Sequence, residues 1–298
     1  MKITFLGTSG SMPTRERGSS SIAIKRLGEL ILFDCGEGTQ QKMVLAGLGF
    51  GGRARIFISH LHGDHVLGLP GLLQTMTLLR REHPLYIYGP RGLLDFIKAF
   101  SAILGGPGFP LEIYEILDDG IVFSGSEYKV EAVEADHEGE SWSFALVEHS
   151  KPGKFHPEKA RELGVPEGPL WRRLQQGEEV KLGNRVISPD EVVEPKTRGR
   201  KVVYSGDTRP NRALVNVALG ADLLIHESTF DDDLEERANK DGHSTASQAA
   251  KIASDSMVTH LILTHISSRY TDASALLEKA KKIFPKTQIA VDLMEMEI

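Results

Sequence analysis

The chain has 298 residues, 40% hydrophobic and 26% charged, a globular balance with room for one large domain or two small ones. Its single cysteine, Cys35, excludes an internal disulfide and any cysteine-only metal site, and fits a reducing compartment. No window approaches the roughly 20 apolar residues of a membrane span, "MKITFLGTSG" is too short an apolar run for a signal peptide, and a net charge of −6 excludes a uniformly basic nucleic-acid coat. A cytoplasmic protein with no membrane partner is therefore expected, in which a polyanion would need a local basic patch.

The first half carries short β runs rich in Ile, Leu, Phe and Tyr: "KITFLG", "SIAIKR", "LILFD", "RIFIS" and "LYIYG". Helical stretches are interleaved: "GTQQKMVLAG", "GLLQTMTLLRRE" and "GLLDFIKAFSAIL". In "GLLQTMTLLRRE" the apolar residues Leu72, Leu73, Met76 and Leu79 form a stripe at helical spacing, more often core than interface. Two more strands, "EYKVEAVEAD" and "SWSFALVE", precede a change of character. Strand and helix then alternate again: "KVVYSG", "NRALVNVAL", "ADLLIHE", "TASQAAKIASD", "HLILTH", "SALLEKAKKIF", "QIAVD". Two such halves predict an α/β fold of two sheets face to face with helices outside.

The change of character, from about residue 150 to 200, is dense in Pro and Gly, with little periodicity beyond "PEKARELG". It reads as an excursion from a single domain spanning 1–298. From Lys151 to Lys201 there are twelve Lys and Arg against eight Asp and Glu, a balance of +4 that leaves −10 for the remainder. A solvated loop can have the same composition.

"SHLHGDH", Ser59–His65, places three histidines and an aspartate at a strand end. In extended backbone, residues i and i+2 point the same way, so His60 and His62 can grip one ion. Gly63 permits a sharp turn that sends Asp64 and His65 to another side. Imidazole and carboxylate suit zinc and similar ions, and four ligands in two directions indicate two ions. His137, Asp207 and His265 each stand at the C-terminal end of another strand-like run, where α/β folds gather their sites.

The segments "TFLGTSGSMP", "FDCGEGTQ", "SHLHGDHVLGLPGLL", "ADH", "YSGDTRP", "HESTF", "GHSTA" and "LTHISSRY" together resemble the metallo-β-lactamase fold. More narrowly, they resemble the ribonuclease Z (tRNase Z) family, over essentially the whole chain. The resemblance implies an αββα sandwich with a protruding exosite arm at about 150–200. It implies two Zn²⁺ per subunit, with Mn²⁺ or a similar divalent ion as a substitute. His60, His62 and His137 would hold one ion, Asp64, His65 and His265 the other, and Asp207 would bridge them. Asp64 would also act as general base, and Asp34 would orient a ligand from behind.

It further implies removal of the 3′ trailer from precursor tRNA, leaving a 3′-hydroxyl and a 5′-phosphate. Two cations about 3.5–4 Å apart activate a water and neutralise phosphoryl charge. The basic leaving oxygen needs a general acid, typically worth 10²–10⁴-fold, for which Glu227 and His243 are the candidates. Ser244 would cap the following helix and aim His243, and His226 would support the loop. The arm would clamp phosphates through Lys151, Lys154, Lys159, Arg161, Arg172 and Arg173, and Trp171 would pack its base, the more usual place for such a ring, or stack on RNA. In this family one subunit's arm serves its partner's site, so a homodimer is implied.

One departure stands out. The family's N-terminal loop often reads Pro-x-Lys-x-Arg-Asn, where this chain has "PTRERGSS" with Arg15, Arg17 and Gly18. That puts discrimination against tRNA already ending in CCA in doubt. Two other readings compete: a small-molecule hydrolase of the same fold (phosphodiesterase, lactonase or arylsulfatase-like), for which the arm has no use, and a metal-stabilised RNA-binding protein, which needs no acid pair.

Overall fold

Every residue of the strand Glu29–Phe33 is buried, and the strand shows why the molecule is layered. Alternate side chains of a strand point to opposite faces, so an all-buried strand needs cover on both. Leu30 and Leu32 enter one core with Met43, Leu69, Leu72, Leu73, Met76, Leu93 and Ile97 of neighbouring helices. Phe33 faces the other way and stacks on Phe144 and Tyr204 of a second sheet, with ring centroids 5.7 Å apart in both pairs. Such aromatic pairs add about 0.5–1.5 kcal/mol beyond the area they bury.

The computed structural model describes residues 1–298. Two seven-stranded mixed sheets form the two inner layers of an αββα sandwich. The first runs Glu295–Glu297, Lys2–Gly7, Ser21–Arg26, Glu29–Phe33, Arg53–Phe57, Leu85–Gly89, Leu111–Glu115. From Glu29–Phe33 onward its strands are parallel. The second runs Thr287–Ile289, His260–Thr264, Leu223–Glu227, Lys201–Tyr204, Trp142–Glu148, Tyr128–Glu134, Gly120–Ser124, its first four strands parallel. The helices Arg212–Ala218, Ala246–Asp255 and Ser274–Ile283 cover it through Leu214, Ala249, Ala250, Ala253, Leu276 and Ala280. No helix is long and apolar enough to cross a membrane.

Several boundaries differ from the sequence reading. The strand before the histidine motif ends at Phe57, not Ser59, because the Ser59 N–H leaves the ladder and donates to Asp34 Oδ1 at 2.7 Å. The stripe Leu72, Leu73, Met76 is core, but Leu79 is exposed because the helix stops at Leu78. The cap of the helix Ala246–Asp255 is Thr245, not Ser244. Its hydroxyl accepts from the Gln248 N–H, and the Gln248 side chain accepts from the Thr245 N–H.

The chain divides into two compact units: residues 1–125, 129–147 and 201–298, and residues 126–128 with 148–200. The second unit starts and ends as a two-stranded ribbon. Lys151 pairs with Thr197 and Phe155 with Val193. Gly153 is required there, since a Cβ would sit 1.6 Å from the Glu194 carbonyl oxygen. The ribbon carries helices Pro157–Glu162 and Pro169–Gln175 and a hairpin, Val180–Leu182 with Arg185–Ile187. Ala160, Val165, Leu174, Val180, Ile187 and Val192 form a small core of its own, with Phe155 and Trp171 packed against it. The helix Pro169–Gln175 and the hairpin were not foreseen. The two-residue Gly183–Asn184 turn between "VKL" and "RVI" was the available signal.

Candidate active site

Five strand ends of the first unit deliver the site. Asp34 follows Glu29–Phe33, and His60–His65 follow Arg53–Phe57. Asp207 follows Lys201–Tyr204, Glu227 closes Leu223–Glu227, and His265 follows His260–Thr264. His137 comes from the loop beyond Tyr128–Glu134. Asp34 and His265 both adopt positive φ, 58° and 56°, a strained backbone held by their surroundings. An open cleft of about 380 Å³ reaches His137, lined also by Asp119, Asp136 and Asn211.

The hydrogen bonds assign the imidazole tautomers. His65 Nδ1 lies 2.7 Å from Asp34 Oδ2. The Ser59 hydroxyl gives its one proton to Asp34 Oδ2 at 2.9 Å, so it accepts from His60 Nδ1 at 3.0 Å. His137 Nδ1 donates to the Gly242 carbonyl at 2.7 Å. The Thr229 hydroxyl donates to Glu227 Oε2 at 2.7 Å and accepts from His265 Nδ1 at 2.8 Å. Four imidazoles therefore turn bare Nε2 lone pairs inward. His65 Nε2 and His265 Nε2 stand 3.2 Å apart, and His62 Nδ1 lies 3.0 Å from His60 Nε2 and 3.2 Å from His137 Nε2. Bare lone pairs at such distances repel unless a proton or a metal cation sits among them.

The carboxylates complete the arrangement. Asp207 Oδ2 is 3.3 Å from both His65 Nε2 and His265 Nε2 and 3.8 Å from His60 Nε2. Its Oδ1 is buried with no hydrogen-bond partner, a state that ordinarily costs about 1–3 kcal/mol. Asp64 Oδ2 is 3.2 Å from His265 Nε2 and accepts from the Ser11 N–H at 2.7 Å. Burial opposes charge on His65, yet Asp207, Asp34 and Asp64 hold its proton affinity well above the ordinary value. The pocket thus attracts positive charge, and a cation among the lone pairs satisfies that field without protonating a ligand. His60, by contrast, is pushed well down by burial and by the neighbouring His65. This donor set fits divalent cations in two groups, His60–His62–His137 and Asp64–His65–His265, with Asp207 facing both.

Beside it, His243 Nδ1 is 2.9 Å from Glu227 Oε1. Burial opposes charge on the imidazole, but Glu227 and Asp207 raise it to about 9. Glu227 is buried and held ionised below its usual range: burial works against this, and His243 prevails. Its oxygens also accept from the Thr208, Ser244 and Thr229 N–H groups and the Thr229 hydroxyl. With five donors on it, Glu227 is placed to orient its neighbours. His243 Nε2 is left as the atom that can give a proton outward.

Residues 192–266 match the beta-lactamase superfamily domain, and residues 1–99 match the Anti-Pycsar protein Apyc1 family. The ribonuclease Z of Methanosarcina acetivorans is 49% identical over 300 residues, covering 100% of this chain and 98% of its own. The chain belongs to the ribonuclease Z family. The ribonuclease Z of Archaeoglobus fulgidus is 46% identical, covering 100% of this chain and 97% of its own. The crystal structure of the short form of human tRNase Z superposes with a TM-score of 0.74 at 30% identity, covering 100% of this chain and 99% of the human one.

The structure brings all seven expected ligand candidates of this ribonuclease Z family member together, with Asp34 behind them. Sequence reasoning missed Ser59, Tyr204, Thr229 and the Gly242 carbonyl, which fix the carboxylate and the rings. Tyr204 donates to Asp34 Oδ2 at 2.7 Å. His226 is buried with Nδ1 on its neighbour's carbonyl, consistent with a supporting place.

The arm candidates split in two. Lys151, Lys154, Lys159 and Arg172 are exposed with no carboxylate partner, whereas Arg161 pairs with Glu167 and Arg173 with Glu178. Trp171 donates to the Val165 carbonyl at 2.9 Å and packs on Phe155, so it builds the arm. In the N-terminal loop, Arg17 is tied to Thr8 Oγ1 and the Ala290 carbonyl, both at 2.7 Å. Of the two arginines there, Arg15 is exposed and Arg17 is half-buried.

Proposed function

We propose that this protein cleaves the 3′ trailer from precursor tRNA with two divalent cations, taken as Zn²⁺, leaving a 3′-hydroxyl on the tRNA and a 5′-phosphate on the trailer. His60, His62 and His137 would hold one cation and Asp64, His65 and His265 the other, with Asp207, which faces both groups, available to each. The observation that carries this reading is the set of inward lone pairs around the unpartnered Asp207 Oδ1, with an acid pair alongside. Such cations supply a nucleophile at neutral pH and neutralise charge on the phosphoryl oxygens.

The chain's own groups do the rest. The Ser11 N–H occupies Asp64 Oδ2, and Oδ1, which has no hydrogen bond, takes a proton from the attacking water as general base. Glu227 keeps His243 charged and aimed, so that Nε2 protonates the leaving 3′-oxygen. That step matters because an alkoxide is a poor leaving group. Lys151, Lys154, Lys159 and Arg172 hold the tRNA backbone. A homodimer, in which one subunit's arm serves the other's site, and a cytoplasmic location accompany this reading.

The test is incubation of purified protein with a 3′-extended tRNA transcript, with and without chelator, mapping the new ends. A single chelator-sensitive cut at the base of the trailer is expected. No cut, or one indifferent to chelator, overturns the reading. A small-molecule hydrolase would instead leave the transcript whole while turning over an aryl phosphodiester.

A further inference from the structure

We infer that Thr229 is a positioning residue that couples the acid pair to the cation pocket through a single hydroxyl, an inference that rests on the cation reading above. Its Oγ1 lies 2.7 Å from Glu227 Oε2, 2.8 Å from His265 Nδ1 and 3.3 Å from His243 Nδ1. A hydroxyl has one proton to give. The carboxylate, having none, must accept it, so the oxygen is left to accept from an imidazole. The shorter contact assigns that role to His265. The consequence is a fixed tautomer, with Nδ1–H toward Thr229 and Nε2 bare toward Asp64 and Asp207.

The surroundings give His265 no substitute. Its backbone sits at φ 56°. On its other flank Gly10 approaches so closely that a Cβ there would lie 2.9 Å from Nδ1. Thr229 is therefore the sole side chain that hydrogen-bonds Nδ1. Glu227 is differently placed: without the Thr229 hydroxyl it still keeps three backbone N–H donors and His243. Removing the hydroxyl should strike the cation pocket first and the acid pair second. A general-acid role for Thr229 itself is excluded by the same geometry, since its proton is committed to a buried carboxylate.

The experiment compares the parent protein with Thr229→Val, which keeps shape without the hydroxyl, and Thr229→Ser, which keeps the hydroxyl. Zn²⁺ affinity is measured by competition with a chromogenic chelator, and the Nδ1–H of His265 is followed by imidazole ¹⁵N NMR on the zinc-loaded parent. Thr229→Val should lose about 10–100-fold in affinity for one of two ions, as removal of a ligand's hydrogen-bond partner typically does. Thr229→Ser should stay within a few-fold of the parent. The parent should show a protected Nδ1–H. Two ions held equally by parent and Thr229→Val would overturn the positioning role and leave the cation reading intact. A rapidly exchanging or absent Nδ1–H in the parent would overturn it even if Thr229→Val failed to fold. A parent that binds no divalent ion would overturn both readings.

Discussion

The two units hold their charged groups in opposite ways. In the first, four of the five imidazoles of the cation pocket are each set by a specific neighbour: His65 by Asp34, His60 by Ser59, His137 by the Gly242 carbonyl, His265 by Thr229. In the second, the cations ride on long exposed side chains around a core of six fully buried residues. Chemistry at a phosphorus atom requires groups held to fractions of an ångström, because misplacement costs rate directly. Gripping a polyanion requires charge and reach, and counterion release rewards both without fixed geometry. This chain keeps its buried polar contacts in the first unit and its unpaired lysines in the second, the division that the proposed cleavage and clamp would each need.

The harshest way to break this contrast is to remove the second unit. Replacing residues 154–194 by two glycines keeps the Lys151–Thr197 pairing. It should abolish pre-tRNA cleavage while hydrolysis of bis(p-nitrophenyl) phosphate persists, and retained tRNA cleavage would end the clamp reading. Next, His243→Ala should slow RNA cleavage by roughly 10²–10⁴-fold and barely touch the aryl diester, whose leaving group needs no proton. Equal losses on both substrates would make His243 structural.

Smaller again is Asp34→Asn, which puts an amide among four donors: the Ser59 N–H and hydroxyl, His65 Nδ1 and Tyr204. A fall of about 10–100-fold in zinc affinity is expected, read by chelator competition. The mildest changes sharpen the picture of the arm. Lys154→Ala and Lys159→Ala should each lower the slope of log binding constant against log salt by about one phosphate contact. Arg161→Ala and Arg173→Ala, whose charges already face Glu167 and Glu178, should lower it less. An equal response from all four would show that those internal pairs open on binding.

The gathering of histidines and aspartates was legible because they are chemically rare residue types repeated at strand ends, and strands announce themselves by apolar runs. The αββα layering followed from the same runs. What stayed hidden were ordinary residues with decisive contacts. Thr229 and Ser59 look like any loop hydroxyl, and Tyr204 reads as a core aromatic, until distant segments meet. The arm was visible only as a break in periodicity, because helices of six and seven residues give too few turns to show a face. The sequence misplaced the cap at Ser244 for a related reason: "ST" offers two adjacent hydroxyls, and only the spacing from Thr245 to Gln248 tells them apart.

The chain leaves the second sheet after Glu148 and re-enters it at Lys201, and the two ends of the excursion are hydrogen-bonded neighbours, Glu148 N–H to the Arg200 carbonyl at 2.9 Å. An insertion whose ends already touch can lengthen at little cost, since closure entropy grows only with the logarithm of loop length. This doorway is therefore where an insertion of different length or sequence could be grafted without breaking the strands on either side of it.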